Sequence, residues 1–100
     1  MLYNQYQITA KVWLYSGDSA WHFISIPKEQ SEEIATLFSD KKRGWGSFKV
    51  TATIGVTSWK TSIFPDKKSG EFLLPLKVEV RKKEGIVNGD TVAVVVEIEL

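Results

Sequence analysis

Cysteine does not occur among the 100 residues, so disulfides, thiolate nucleophiles and cysteine-ligated zinc are excluded. Lys and Arg number 13 and Asp and Glu 12, and this balance supplies no global field for nucleic acid or an anionic membrane. No apolar run approaches the roughly 18 residues of a membrane span, and the N-terminus lacks the pattern of a leader peptide. We therefore expect a single cytoplasmic domain over residues 1–100, with no membrane partner.

Apolar and polar residues alternate along several segments, which is the pattern of half-buried strands. These segments are 6–15, 20–26, 48–54, 59–64, 71–74 and 91–100. Turn-forming residues at 16–19 and 55–58 predict two hairpins, and residues 65–70 predict a further turn. The alternation places Leu14 and Leu100 on apolar faces of the first and last strands.

The period changes after Pro27, where a short helix of two to three turns is predicted. Glu29 lies near its start, where an acidic side chain suits the helix dipole. Ile34, Leu37 and Phe38 follow the i, i+3, i+4 spacing of an apolar stripe.

Residues 76–84 fit two patterns equally well. Leu74, Leu76, Val78 and Val80 alternate as in a strand. The basic residues before Gly85 are typical of a helix C-terminus with a glycine stop. The pattern alone leaves both interpretations open.

Five motifs occur in order along nearly the whole chain. They are W-x-F-I-x-I-P at 21–27, G-W-G at 44–46, W-K-T-S-I-F-P at 59–65, L-P-L-K to V-R-K at 74–82, and G-I-x-x-G-D-x-V at 85–92. Together they resemble the family described as domain of unknown function 1905. The resemblance implies a mainly β fold, a small double-split β-barrel of about six strands with a short helix at each end. It also makes 76–84 the second helix.

The Gly89-Asp90 step has a physical role in such a fold. Glycine permits an unusual backbone dihedral, and the aspartate can accept backbone N–H bonds that lock the turn. The same fold class is similar to swapped-hairpin DNA-binding domains.

Catalysis is not expected from these residues. His22 is the only histidine, and no neighbouring carboxylate in the sequence would orient it as a general base. Asp18, Asp40, Asp66 and Asp90 occur in predicted turns, where aspartate serves the backbone. We therefore expect no enzyme activity, no cofactor and no metal.

The distribution of charge is uneven. Residues 41–83 hold eleven Lys and Arg against three Asp and Glu, whereas the remaining residues hold two against nine. These charges could form one basic surface, suited to an anionic ligand or nucleic acid, or they could be scattered over solvated turns.

Four residues of this basic segment are candidates for an anion site. Lys77 and Arg81 are four apart, so on a helix they would share one exposed face, close to the 59–64 strand. Lys60 and Ser62 are two apart on that strand and share a face as well. If these two faces converge, the four side chains would bind a carboxylate or phosphate, with the Arg81 guanidinium as the bidentate group. Salt bridges to Glu71, Glu79 or Asp90 would explain the same residues.

Two tryptophans complete the candidate binding residues. Trp45 lies between two glycines after a basic run, where it could stack on a base or a sugar, insert into a partner protein, or simply cover one end of the barrel. Trp59 is the second candidate binding residue, although Trp21 and Trp59 are most simply core or barrel-rim residues.

The sequence therefore predicts a binding or interaction module for a small anionic ligand or a partner protein. The alternatives are a nucleic-acid-binding domain, by analogy of fold alone, and an enzyme whose site the sequence does not reveal. The oligomeric state is not fixed by any of these patterns.

Overall fold

The structure, a computed structural model, describes residues 3–15 and 20–100. Over these ranges the chain forms six strands, two α-helices and two single 3₁₀ turns. The strands are β1 (Gln5–Leu14), β2 (His22–Ser25), β3 (Phe48–Ile54), β4 (Thr57–Asp66), β5 (Glu71–Pro75) and β6 (Thr91–Ile98). The helices are α1 (Lys28–Leu37) and α2 (Val78–Glu84), and the 3₁₀ turns are Ser39–Lys41 and Gly44–Gly46. The turn predicted at 16–19, including Asp18, lies outside the described residues.

The strands close into a barrel in the order β1-β2-β5-β4-β3-β6, and every neighbouring pair is antiparallel. Two strands change partners along their length. β1 pairs with β6 through Lys11 and then with β2 from Val12, while β4 pairs with β3 through Ile63 and then with β5 from Phe64. The predicted mainly β fold with two helices is confirmed.

The side chains at alternate positions of each strand fill the barrel interior. In β3, Phe48, Val50, Ala52 and Ile54 are all buried, because successive side chains point to opposite faces. Val94, Val96 and Ile98 of β6 are buried in the same way. The barrel core is therefore built by the positions that the period-two pattern predicts.

Three leucines that were expected on apolar faces are exposed instead: Leu14 by 45%, Leu37 by 56% and Leu100 by 57%. Leu14 is the last residue of β1, and Leu100 follows the end of β6, so neither reaches the interior. Leu37 lies on the solvent side of α1 because the face that packs on the barrel carries Ser31, Ile34 and Phe38.

Helix α1 is attached to the barrel through a buried serine. The Ser31 hydroxyl donates to the Ile26 carbonyl at 2.8 Å and accepts the Phe72 N–H at 2.9 Å. Such a bond satisfies backbone groups that burial would otherwise leave unpaired. The link therefore joins α1 to both β2 and β5.

Strand β4 runs two residues beyond the predicted strand and takes up Pro65 and Asp66, which were expected in a turn. Pro65 is tolerated because the pairing with β3 has already ended at Ile63, so its missing N–H removes no β3 bond. Asp66 still organises the following turn, since its carboxylate accepts the Lys68 N–H and the Ser69 hydroxyl.

Residues 78–84 are helical, as the resemblance implies, and the competing strand pattern ends at Pro75. Gly85 caps α2 in the left-handed conformation. The predicted role of the Gly89-Asp90 step is confirmed, because Gly89 has φ +94° and the Asp90 carboxylate accepts the Val87 N–H at 2.9 Å. No helix of the described residues is long and apolar enough to span a membrane.

Replacing Val94 by Asp should unfold the domain. Val94 is 2% exposed, and an unpaired carboxylate in its place costs several kcal/mol against a total stability of about 5–15 kcal/mol. The matched control is Ala93→Asp, because Ala93 is exposed on the opposite face of the same strand. A thermal melt by circular dichroism in which both variants keep the parent midpoint would contradict this register.

Because of Tyr6, the free energy of unfolding should depend on pH in the alkaline range. Burial raises the pKa of the Tyr6 phenol above its usual 10.0, and the nearby Glu33 carboxylate raises it further. Below pH 10 both folded and unfolded states hold the proton. Above it the unfolded state loses its proton first, so the free energy of unfolding should fall as pH rises toward the folded pKa.

Urea unfolding at pH 8 and at about pH 10.5 measures this effect. Tyr6→Phe should lose less stability between the two values than the parent protein. Tyr3→Phe, at a position that is 70% exposed, should behave as the parent does. Equal losses in Tyr6→Phe and the parent would refute the assignment.

Candidate functional site

Two adjoining cavities lie where β4 and β5 meet the start of α2, and they share three wall residues: Trp21, Pro75 and Lys77. We call them together the Trp21 cleft. The first has a volume of about 590 Å³ and the second about 510 Å³. The first is also lined by Lys49, Val50, Lys60, Thr61, Ser62, Phe64 and Glu99. The second is also lined by Ala20, Leu76, Val78, Glu79 and Arg81.

The strand residues of the cleft are positioned by the β3–β4 ladder. Lys60 pairs with Thr51 and Ser62 pairs with Lys49, and all alternate with inward residues such as Ile63. Their side chains therefore lie on the outer face of the barrel. The structure brings Lys60 and Ser62 into one cavity with Lys77.

Lys77 and Arg81 depart in part from their predicted arrangement. Lys77 precedes α2 in extended backbone conformation, and its carbonyl accepts the Arg81 N–H at 3.0 Å. Arg81 is half-buried rather than exposed, because its Nε–H donates to the Leu76 carbonyl at 3.3 Å. Both residues still line one cavity, and Lys77 joins it to the cavity of Lys60.

Trp21 was expected in the core or at the barrel rim; it is 54% exposed, which excludes the core, and it lines both cavities. Its ring stacks on Phe23 with centroids 5.9 Å apart and planes inclined by 17°. Phe23 also packs against Trp13 and Tyr15, at 5.2 and 6.3 Å. This cluster supports one face of Trp21, and Phe64, 42% exposed, supplies a second aromatic surface in the cleft.

The other two candidate tryptophans lie outside the cleft. Trp59 faces the barrel interior opposite Ala52, and its buried indole N–H has no hydrogen-bond partner within the described part of the chain. Trp45 lies on the Gly44–Gly46 turn and is 93% exposed. The structure therefore separates Trp45 and Trp59 from Lys60, Ser62 and Lys77.

The strands of the basic segment are neighbours in the barrel. The basic segment 41–83 contains β3, β4 and β5, which are adjacent in the barrel, whereas β6, β1 and β2 form the other half. The cations of the cleft belong to the basic half. Two carboxylates, Glu79 and Glu99, also line its walls, so the cleft combines four cations with two anions.

His22 does not line the cleft. Its ring Nδ1 lies 2.8 Å from the Ala20 carbonyl, which is a local contact to the backbone. Across residues 3–15 and 20–100, no group of three or more His, Cys, Asp or Glu side chains is placed to hold a metal ion.

Sequence reasoning did not select Lys49, Trp21 or Phe64 as site residues. Lys49 and Phe64 could have been selected from the sequence, because both alternate with buried residues and therefore face outward. Trp21 carried the same signal, because its position alternates with the buried Ile24 and Ile26 and is therefore directed outward with Phe23.

Helix α2 is joined to the β3–β4 hairpin through its last residue, Glu84. The Thr57 hydroxyl donates to the Glu84 carboxylate at 2.6 Å. That carboxylate lies against Gly55, where a Cβ atom would overlap it, and Gly55 has φ +57°. The turn therefore requires glycine for its conformation and for the space that Glu84 occupies.

Gly55→Ala should lower the free energy of unfolding by about 1–3 kcal/mol, through the left-handed conformation and the loss of the Thr57–Glu84 bond. Chemical denaturation measures the change. Gly44→Ala is the matched control, because a Cβ there meets nothing within 4 Å and its φ is not in the left-handed region. Equal stabilities of the two variants would show that Glu84 does not constrain the hairpin.

A family model described as "Domain of unknown function (DUF1905)" matches residues 9–96. Comparison with curated proteins finds none that matches the chain.

Proposed function

Because the chain belongs to the DUF1905 family, whose description assigns no activity, we propose a function from the geometry of the cleft. The domain is a non-enzymatic binding module, and the Trp21 cleft holds an anionic group of a small molecule or of a partner protein. The observation that carries this proposal is the convergence of Lys60, Ser62 and Lys77 on one cavity.

The chemistry of these side chains suits a carboxylate or a phosphate. Lys60 and Lys77 supply mobile positive charges, and the Ser62 hydroxyl can donate a hydrogen bond to an anionic oxygen. Arg81 lies in the adjoining cavity, where its fork can contact the same anion or a second one. The volume of about 590 Å³ is within the range of small-ligand sites.

The aromatic walls suggest what the anion is attached to. Trp21 and Phe64 present apolar surface beside the cations, and an aromatic or apolar body on the ligand would cover it. An anion joined to a ring should therefore bind better than the bare anion.

The non-enzymatic part of the proposal is supported by the groups in the walls. Among the described residues that line the cleft, Ser62 has no histidine beside it to act as a general base. We further propose the cytoplasm as the compartment, which the cysteine-free composition supports. The sharing of β1 and β4 between two sets of partners supports the double-split subtype of barrel.

Titration of the ¹⁵N-labelled protein with phosphate and with phenyl phosphate at low ionic strength tests the proposal. We expect saturable amide shifts centred on Lys60, Ser62 and Lys77, and tighter binding of phenyl phosphate because its ring can lie on Trp21. Arg81→Ala should weaken binding by about 1.5–3 kcal/mol, the value of a hydrogen bond to a charged group.

Lys77→Gln and Lys67→Gln form a matched pair of charge removals. Lys77 lines both cavities, whereas Lys67 lies in the exposed turn after β4 and is not a wall residue. Lys77→Gln should weaken binding and Lys67→Gln should not. Shifts spread evenly over all lysines, or equal effects of the two variants, would refute a specific site.

A further inference from the structure

A third cavity, of about 210 Å³, continues the Trp21 cleft toward the 3₁₀ turns. It shares Lys49 and Glu99 with the 590 Å³ cavity, and it is otherwise lined by residues 40–43 and Leu100. The three cavities therefore follow one another across the basic half of the barrel, each joined to the next by common wall residues. We call this continuous surface the basic track.

Positive charge runs along the whole track. It begins at Arg81 and Lys77, continues through Lys60 and Lys49, and ends at the consecutive cations of residues 41–43. Seven cations line it against three carboxylates. A single small anion would use one of these cavities and leave the remaining cations without a role.

Two exposed aromatic rings line the same track, and a third, Trp45, comes two residues after Arg43, the last cation of the track. Trp21 and Phe64 lie in its middle, 54% and 42% exposed. The Gly44–Gly46 turn, which carries the 93% exposed Trp45, follows Arg43 and rests on Pro65, since a Cβ at Gly46 would lie 3.3 Å from the proline ring. The track thus presents both cations and flat apolar surfaces.

Trp45 is held in an unfavourable backbone conformation. Its φ is +63°, which makes it the one non-glycine residue with positive φ in the described ranges. The turn is fixed by the Arg43 N–H to Ser47 carbonyl bond at 2.8 Å and by the Ser47 hydroxyl, which donates to the Gly44 carbonyl at 2.8 Å. A conformation that is costly and buries nothing is characteristic of a site that serves binding.

We propose that the basic track binds a single-stranded nucleic acid, with phosphates on its cations and bases stacked on Trp21, Phe64 and Trp45. This inference rests on the proposed function, since the Trp21 cleft is the middle of the track. Cations that follow a backbone, interleaved with aromatic platforms, are the recognition pattern of single strands. A peptide made only of acidic residues would match the cations but would offer no aromatic ring to the exposed side chains.

Fluorescence anisotropy with a labelled 12-nucleotide oligo-dT tests the inference. Binding should weaken with salt, with a slope of log K against log[salt] of about −2 or steeper if three or more phosphates are contacted. An abasic strand of the same length and polyglutamate of the same charge should bind more weakly, because neither offers bases to stack.

Trp45→Asn should weaken oligo-dT binding by about 5-fold or more, the effect of losing one stacked base. Asparagine accepts the left-handed conformation, so the thermal midpoint should be unchanged or higher. Lys49→Gln should also weaken binding, whereas Lys67→Gln, off the track, should not.

The outcomes separate the two proposals. If phosphate shifts Lys60 and Lys77 but oligo-dT binds no better than the abasic strand or polyglutamate, the nucleic-acid inference is wrong and the proposed function stands. If neither phosphate nor oligo-dT binds, both are wrong. If Trp45→Asn and Lys49→Gln both leave oligo-dT binding unchanged, the proposal that the basic track is the binding surface is also refuted.

Discussion

The last strand, β6, lies between β1 and β3 and hydrogen-bonds to both, and the closed barrel depends on this double pairing. Seven residue pairs join it to β1 and four join it to β3. Closure removes the free sheet edges and fixes which face of every strand is interior. Val94 faces the core together with Ile8, its partner in β1. In β4, the alternation of side chains directs Lys60 and Ser62 to the outer face.

Closure also determines which charges become neighbours. With β6 and β1 joined, β3, β4 and β5 form one contiguous half, and the cations of residues 41–83 collect there. A chain of net charge +1 thereby acquires a local group of cations around the cleft, although its overall field is weak.

The candidate site forms where the regular ladder ends. At this point β4 has left β3 for β5, Pro75 ends β5, and the chain turns through Lys77 into α2. The Thr57–Glu84 bond then sets α2 against the hairpin. The cleft is thus a consequence of strands that change partners, and its cations come from elements that are distant in sequence.

Local patterns predicted much of the fold but little of the site. The bounds of β3 followed from alternation, because its burial is strictly periodic. Leu14, Leu37 and Leu100 were misplaced because periodicity assigns a face but not the point at which the barrel ends. For residues 76–84 the two patterns conflicted, and only the family resemblance decided correctly for the helix.

Among the functional residues, too, local patterns predicted some features and left others undetermined. The shared face of Lys60 and Ser62 was predictable from their spacing, but their approach to Lys77 depends on the barrel order, which no local pattern contains. Alternation with Ile24 and Ile26 directs Trp21 outward, but it does not predict that this outer face borders the cleft. Arg81 turned inward because a backbone carbonyl, that of Leu76, was within reach.

The central claim is that an anion binds in the Trp21 cleft, and crystals soaked in tungstate test it most directly. Tungstate mimics phosphate in charge and shape, and its anomalous scattering identifies its position without ambiguity. The account predicts an anomalous peak between Lys60 and Lys77, beside the ring of Trp21. Peaks confined to exposed turn lysines such as Lys67 and Lys68, with none in the cleft, would contradict it.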